Sequence, residues 1–134
     1  MARNDTFHCS VITPERALLE ADATFVAFPA HDGEVGILKN HAPLLYKLGV
    51  GVLRVETPEA KHAFFVDGGF AQMVENRLTL LTQYARPVAE IDRAAVEKAR
   101  EEVKSAENGD ARQRAQQRAR VLERIASSNA SAAR

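Results

Sequence analysis

Tryptophan is absent, cysteine occurs once, and only 6% of the 134 residues are aromatic. A single thiol, Cys9, excludes an internal disulfide, and its alternation with Phe7 and Val11 predicts a small buried apolar group rather than a reactive centre. Net charge is also lacking: Lys plus Arg and Asp plus Glu each total 18. Nothing therefore draws the whole chain to nucleic acid or to anionic lipid. No run approaches the roughly 18 apolar residues of a membrane span, and the opening Met-Ala-Arg-Asn-Asp-Thr lacks the apolar core of a secretion signal. The expectation is a chain that stays where it is made and does not insert into lipid. There is no glycine-rich loop ending in Gly-Lys-Ser/Thr and no Gly-x-Ser-x-Gly, and His8 and His62 have no readable partner. No catalytic residue, metal site or cofactor is expected.

What is present changes character near Pro87. Before it, short apolar runs sit between turn residues at intervals of roughly ten, the pattern of a β-sandwich. The candidate strands are residues 6–13, 24–28, 35–38, 44–48, 50–56, 63–67, 70–74 and 78–82. Pro14, Asp32-Gly33, Pro43, Pro58, Gly68-Gly69 and Glu75-Asn76 break them. Asp32-Gly33 reads as a tight primed turn, with positive φ at both residues. All six phenylalanines lie in this half, which places the hydrophobic core there.

After Pro87 the sequence is rich in Ala, Arg and Glu, with no aromatic residue, and reads as helix. Asp92 is placed to cap a helix beginning Arg93-Ala94-Ala95, and Asn108-Gly109 to end it with glycine in the left-handed region. Asp110 then caps a second helix. Val96, Ala99, Val103 and Ala106 form one stripe, and Ala111, Ala115, Ala119, Leu122 and Ala126 form the other. The two should pair as an antiparallel hairpin. With about 0.8 kcal/mol per buried CH₂, each alanine in that seam lacks roughly 2 kcal/mol that leucine would supply. The expected architecture is thus α+β: an antiparallel β-sandwich over residues 1–87, then a weakly held helical hairpin over 88–134, either mobile or docked permanently as a structural tail.

Charge divides the halves. Residues 1–87 carry 8 basic and 10 acidic side chains, and residues 88–134 carry 10 basic and 8 acidic. From Asp110 to Ile125 there are five arginines against Asp110 and Glu123. Arg112, Arg120 and Arg124 project away from the alanine stripe, whereas Arg114 and Arg118 flank it and can cover it with their stems. A solvated face or an anionic partner both fit this run. The balanced total charge, and the missing aromatic or glycine-rich loops beside these arginines, argue against nucleic acid.

His31, Asp32, Glu34 and His41 invite a catalytic reading, a small metal-dependent hydrolase. A histidine at each end of a hairpin with no third strong ligand leaves such a site incomplete, since zinc takes three or four. The whole string from Phe28 to Leu45 instead resembles the signature of the epsilon subunit of F-type ATP synthases. Gly33-Glu34-Val35-Gly36-Ile37-Leu38 leads there into Asn40-His41-Ala42-Pro43-Leu44. Val11-Ile12-Thr13-Pro14-Glu15-Arg16, Asp67-Gly68-Gly69-Phe70 and Ile91-Asp92 follow in the family's order, so the likeness spans nearly the whole chain.

That resemblance implies a non-catalytic rotor part whose sandwich binds the gamma subunit and sits on the c-subunit ring, with Glu34 near the ring's polar loops and His41 toward gamma. It implies a tail that lies folded or extends along gamma, where the arginines of its second helix, Arg112, Arg120 and Arg124, meet an acidic segment of the beta subunit and hinder ATP hydrolysis. The implied location is the cytoplasmic face of a bacterial inner membrane, held there through the complex, or else the stromal face of a thylakoid. Some members bind ATP through Ile-Asp-x-x-Arg-Ala. Here the run is Ile91-Asp92-Arg93-Ala94-Ala95-Val96, and Ala95 stands where arginine is expected. The missing guanidinium removes a charge-assisted contact worth roughly 1.5–3 kcal/mol, so tight nucleotide binding is not expected unless a shifted helix start lets Arg93 substitute. A free-standing regulatory sandwich that binds another protein is the alternative function.

Overall fold

The computed structural model describes residues 5–132. The chain divides into two compact units between Ala85 and Arg86. The first unit holds nine complete strands, β1 (Phe7–Ile12), β2 (Ala17–Ala23), β3 (Phe25–Ala30), β4 (Gly33–Ile37), β5 (Leu44–Lys47), β6 (Val50–Glu56), β7 (Lys61–Asp67), β8 (Gly69–Val74) and β9 (Arg77–Thr82). A short β10 (Ala85–Pro87) follows. One sheet runs β2-β1-β9-β8-β5 and the other β10-β7-β6-β3-β4. The neighbours β1–β2, β3–β4, β3–β6, β5–β8, β6–β7 and β8–β9 pair antiparallel, whereas β1 lies parallel to β9, with Cys9 opposite Leu78 and Val11 opposite Leu80.

The core lies between the sheets, because each strand turns alternate residues inward. Phe7, Cys9, Val11, Met73, Leu78 and Leu80 meet Val26, Phe28, Ile37, Leu53, Val55, Phe64 and Val66 there. Burial pushes the Cys9 thiol up to about 12, so it stays protonated and unreactive near neutrality. Phe70 departs from the expectation that the aromatics mark the core: Ala71 and Met73 take the inward positions of β8, which turns Phe70 outward.

The chain passes between the sheets after β2, β4, β5, β7 and β9, and two of these corners carry residues with positive φ. At the first, β7 hands over to β8 through Gly68 (φ 77) and Gly69 (φ 119), and a Cβ on Gly69 would collide with the Leu81 carbonyl oxygen. The other corner, residues 38–43, joins β4 to β5. Asn40 adopts a left-handed φ of 59 there, and its amide donates to Asn76 Oδ1 at 2.7 Å. Asn76 and Glu75 form the two-residue β8–β9 turn, at φ 61 and 50, and Asn76 Nδ2 donates to the Thr6 carbonyl at 3.1 Å. One side chain thus ties the start of β1, the 38–43 corner and the β8–β9 turn.

Asn76→Ala should therefore lower stability by roughly 2–4 kcal/mol, since it loses two hydrogen bonds and puts alanine in a left-handed conformation. Asn76→Gly keeps the backbone geometry and should lose about half as much, measured as the shift in denaturant midpoint. Equal losses would mean that the turn conformation contributes nothing.

Two turn readings are corrected. The β3–β4 loop consists of His31 and Asp32, with Ala30 paired to Gly33, and only Gly33 has positive φ, at 144. Asp32 stays out of the left-handed region because glycine, which needs no such restraint, takes the unusual angle one residue later.

The second unit holds α1 (Arg93–Ser105) and α2 (Gly109–Ala132), preceded by a single 3-10 turn at Val88–Glu90. Asp92 caps α1, its Oδ1 accepting from the Ala95 amide at 3.1 Å. The far end differs from the sequence expectation. α1 stops at Ala106 in an extended conformation, and Asn108 caps α2 through Oδ1 on the Ala111 amide at 2.8 Å. Gly109 is the first residue of α2 and is not left-handed, while Asp110 sits in its first turn. An asparagine one residue before glycine serves either end of a helix, and here its side chain decides for the start.

Candidate subunit-contact surfaces

Three surfaces carry the candidate residues. On β4, Glu34 is exposed and reaches across β3 to Arg54 of β6, with Oε1 3.3 Å from Nη2. His41 is exposed in the corner after β4, its amide bonded to the Leu38 carbonyl at 3.2 Å and its Nδ1 2.8 Å from the Ala42 carbonyl oxygen. His31 and Asp32 stand exposed at the β3–β4 loop. No hydrogen bond or ion pair joins these four side chains to one another, and no group of three His, Cys, Asp or Glu among the described residues is arranged to hold a metal ion.

The outer face of the first sheet is a surface that sequence reading missed. Phe70 of β8 is registered against Leu81 of β9, and Leu45 of β5 stands one position along, opposite Gln72. Phe70 and Leu81 are each 52% exposed and Leu45 is 69% exposed. Ile12 of β1 continues the row beside Leu81, and Lys47 borders it beside Phe70. A contiguous apolar strip with a polar margin on a sheet is the kind of surface that a partner protein covers. The signal was present in β8, where Phe70 falls on the same parity as Gln72 and against Ala71 and Met73.

The third surface is the helical hairpin. Its seam brings Val96 and Ala99 of α1 and Ala115, Leu122, Ile125 and Ala126 of α2 into burial, with Ala111 and Ala119 half-buried. Ile125 is an addition to the expected stripe. Charged pairs then join the helices. Glu123 accepts from Arg93 at 2.5 Å, from Arg100, and from the Ser127 hydroxyl at 3.0 Å. Arg118 Nη1 lies 3.3 Å from Glu102 Oε1. The Arg93 hydrogen bond, then that of Ser127, holds the Glu123 carboxyl below its usual range. A depressed folded-state pKa gives a contribution that is full above the ordinary carboxylate pKa and is lost as pH falls through the lowered value. The pairs therefore persist at neutral pH.

Arg112, Arg120 and Arg124 are exposed, and no side chain among the described residues pairs with them. Asp92 caps α1 in the expected place, and Arg93 is engaged with Glu123 and with Glu97, the latter at 3.6 Å.

With this geometry in view, comparison with known proteins is decisive. Residues 6–88 match the family described as ATP synthase, Delta/Epsilon chain, beta-sandwich domain. The chain belongs to that family. An ATP synthase epsilon chain of Rhodopirellula baltica is 45% identical over 87 residues, covering 65% of this chain and 68% of the relative. One from Syntrophomonas wolfei is 40% identical over 114 residues, covering 80% and 83%. Among solved structures, the fold is similar to a chain of the Euglena gracilis mitochondrial ATP synthase, with a TM-score of 0.74 at 22% identity, covering 92% of this chain and 81% of that one. As an epsilon-family chain the protein is a non-catalytic subunit of the ATP synthase stalk, and its membrane association comes through that complex. No helix among the described residues is long and apolar enough to cross a membrane.

Proposed function

We propose that the sandwich fastens the gamma subunit to the c-subunit ring so that torque passes from ring to catalytic head, and that the helical hairpin restrains ATP hydrolysis. The observation that carries the first part is the apolar strip of Leu45, Phe70 and Leu81 on the first sheet, which suits a stable, largely apolar contact with gamma. Glu34, exposed and polar on the second sheet, suits the polar loops of the ring, and His41 suits a contact with gamma. Neither residue has neighbours that would give it chemistry. The brake is carried by Arg112, Arg120 and Arg124, three unpaired cations on α2 that suit an acidic surface of the beta subunits. The complex holds the chain at the cytoplasmic face of a bacterial inner membrane, or at the equivalent stromal face.

The test is reconstitution into an ATPase stripped of its epsilon subunit, comparing the full chain with one ending at Pro87. The shorter chain should show a sheet spectrum and cooperative melting, because the sandwich core is complete without the helices. Both chains should restore ion-driven synthesis, and only the full chain should restrain hydrolysis. Equal hydrolysis with the two chains would remove the brake from this reading. Failure of either chain to restore coupling would remove the rest.

A further inference from the structure

We propose that the hairpin is closed by an internal carboxylate latch, Glu123 held between Arg93 and Arg100, so that this chain folds its tail without any bound ligand and frees it when those pairs are displaced. The proposal rests on the tail acting as a brake, and it adds what holds that tail shut.

Position is the first argument. The helices are joined at residues 106–108, so the start of α1 and the last turns of α2 form the open end of the hairpin, where an antiparallel pair frays. Glu123, Ser127 and Asn129 all lie on that part of α2. Glu123 binds Arg93 in the first turn of α1 and Arg100 two turns on. Asn129 uses both hydrogens of Nδ2, donating to the Val88 and Ile91 carbonyls at 2.9 Å each, just ahead of α1. Nearer the connection, Arg118 and Glu102 repeat the arrangement with opposite polarity.

The seam supplies the second argument. Among the described residues its buried side chains are three alanines, Ala99, Ala115 and Ala126, with Val96, Leu122 and Ile125, and none is aromatic. A helix pair with so little apolar surface depends on polar ties more than a leucine-rich pair does. Two guanidinium groups converging on one carboxylate form a network, which is stronger than an isolated exposed pair and sensitive to salt. Charge allocation is the third. Glu123 is the one acid of α2 after its first turn. Because it faces α1, it leaves Arg120 and Arg124 on its own helix without a counter-charge. Closing the hairpin and keeping the cationic face bare are thus served by one residue.

Hydrogen–deuterium exchange of the full chain tests the latch. In Glu123→Gln the amides of α1 and α2 should exchange roughly three- to tenfold faster, as expected for losing two exposed but networked pairs, with the sandwich unchanged. Wild type in molar salt should approach the same rates. Glu97→Gln is the control: Glu97 lies 3.6 Å from Arg93 and 3.0 Å from Arg100 but sits on α1 itself, so it cannot bridge the helices. That variant should exchange like wild type. Loss of helical signal in Glu123→Gln counts as opening, because α1, with 13 residues, is marginal alone. Unchanged exchange in Glu123→Gln, or equal acceleration in Glu97→Gln, overturns the latch. Hydrolysis by the reconstituted complex reads the brake separately: faster exchange with unaltered hydrolysis keeps the latch and removes the brake.

Discussion

Replacing Phe70 and Leu81 together with serine should weaken binding of purified gamma subunit by roughly a hundred- to a thousandfold. Each half-exposed side chain leaves about half its apolar surface for a partner to cover, and covering a whole Phe or Leu is worth about 1.5–3 kcal/mol. Central apolar anchors lose more than that area when truncated, because their surroundings stay desolvated. Together the pair is assigned roughly 3–4 kcal/mol of binding. The folded state should lose little, since Ala71, Met73, Leu78 and Leu80 hold these strands on the opposite face. Titration calorimetry with gamma, beside thermal melts of the free chain, separates the two effects. Binding within threefold of wild type would show that gamma docks elsewhere. A large drop in melting temperature would place the residues in the core after all.

Arg120→Gln with Arg124→Gln should relieve restraint of hydrolysis several-fold, whereas Glu97→Gln with Glu101→Gln should leave it nearly intact. Arg120 and Arg124 stand one turn apart on the exposed face of α2, without partners among the described residues, so both are free to meet anionic side chains. Each exposed charge at such a contact contributes about 1 kcal/mol or less, which together sets the size of the effect. Screening acts over about 8 Å at physiological ionic strength, so restraint carried by these residues should also fade as salt rises. Ion-driven synthesis should change little. Hydrolysis that ignores both the substitution and the salt would make this arginine face a solvated one.

The legible parts of this chain were those encoded locally. β6 appears with the bounds that alternation predicts, and the other seven expected strands fall within a few residues of theirs. β2 was missed because Glu20 and Asp22 interrupt a weakly apolar run at a sheet edge, and only its pairing with β1 makes it a strand. β10 has three residues, too few for any period. At residues 106–110 one asparagine could close the first helix or open the second, and hydrogen bonding chose the second. The clustering of Glu34 and His41 with His31 and Asp32 was legible in the sequence, but their contact roles rest on family resemblance alone. The Glu123 pairs lay beyond sequence reading, because nothing in the spacing of residues 93, 100 and 123 tells which acid of one helix will meet which arginine of the other.

The parallel pairing of β1 with β9 sets the order in which the sandwich can assemble. β1 occupies the second place in its sheet, between β2 and the strand made last of the nine complete ones. As the chain leaves the ribosome, β1 and β2 can form their hairpin early, but one flank of β1 stays open until residues 77–82 emerge. Closing so long a loop carries an entropic penalty before any contact repays it, which makes this step slow. The helical hairpin, whose contacts are local, follows in the remaining chain and has no part in that closure. A ribosome stalled before Thr82 should therefore hold an open, aggregation-prone edge, and release of only a few more residues should convert it to a protease-resistant domain.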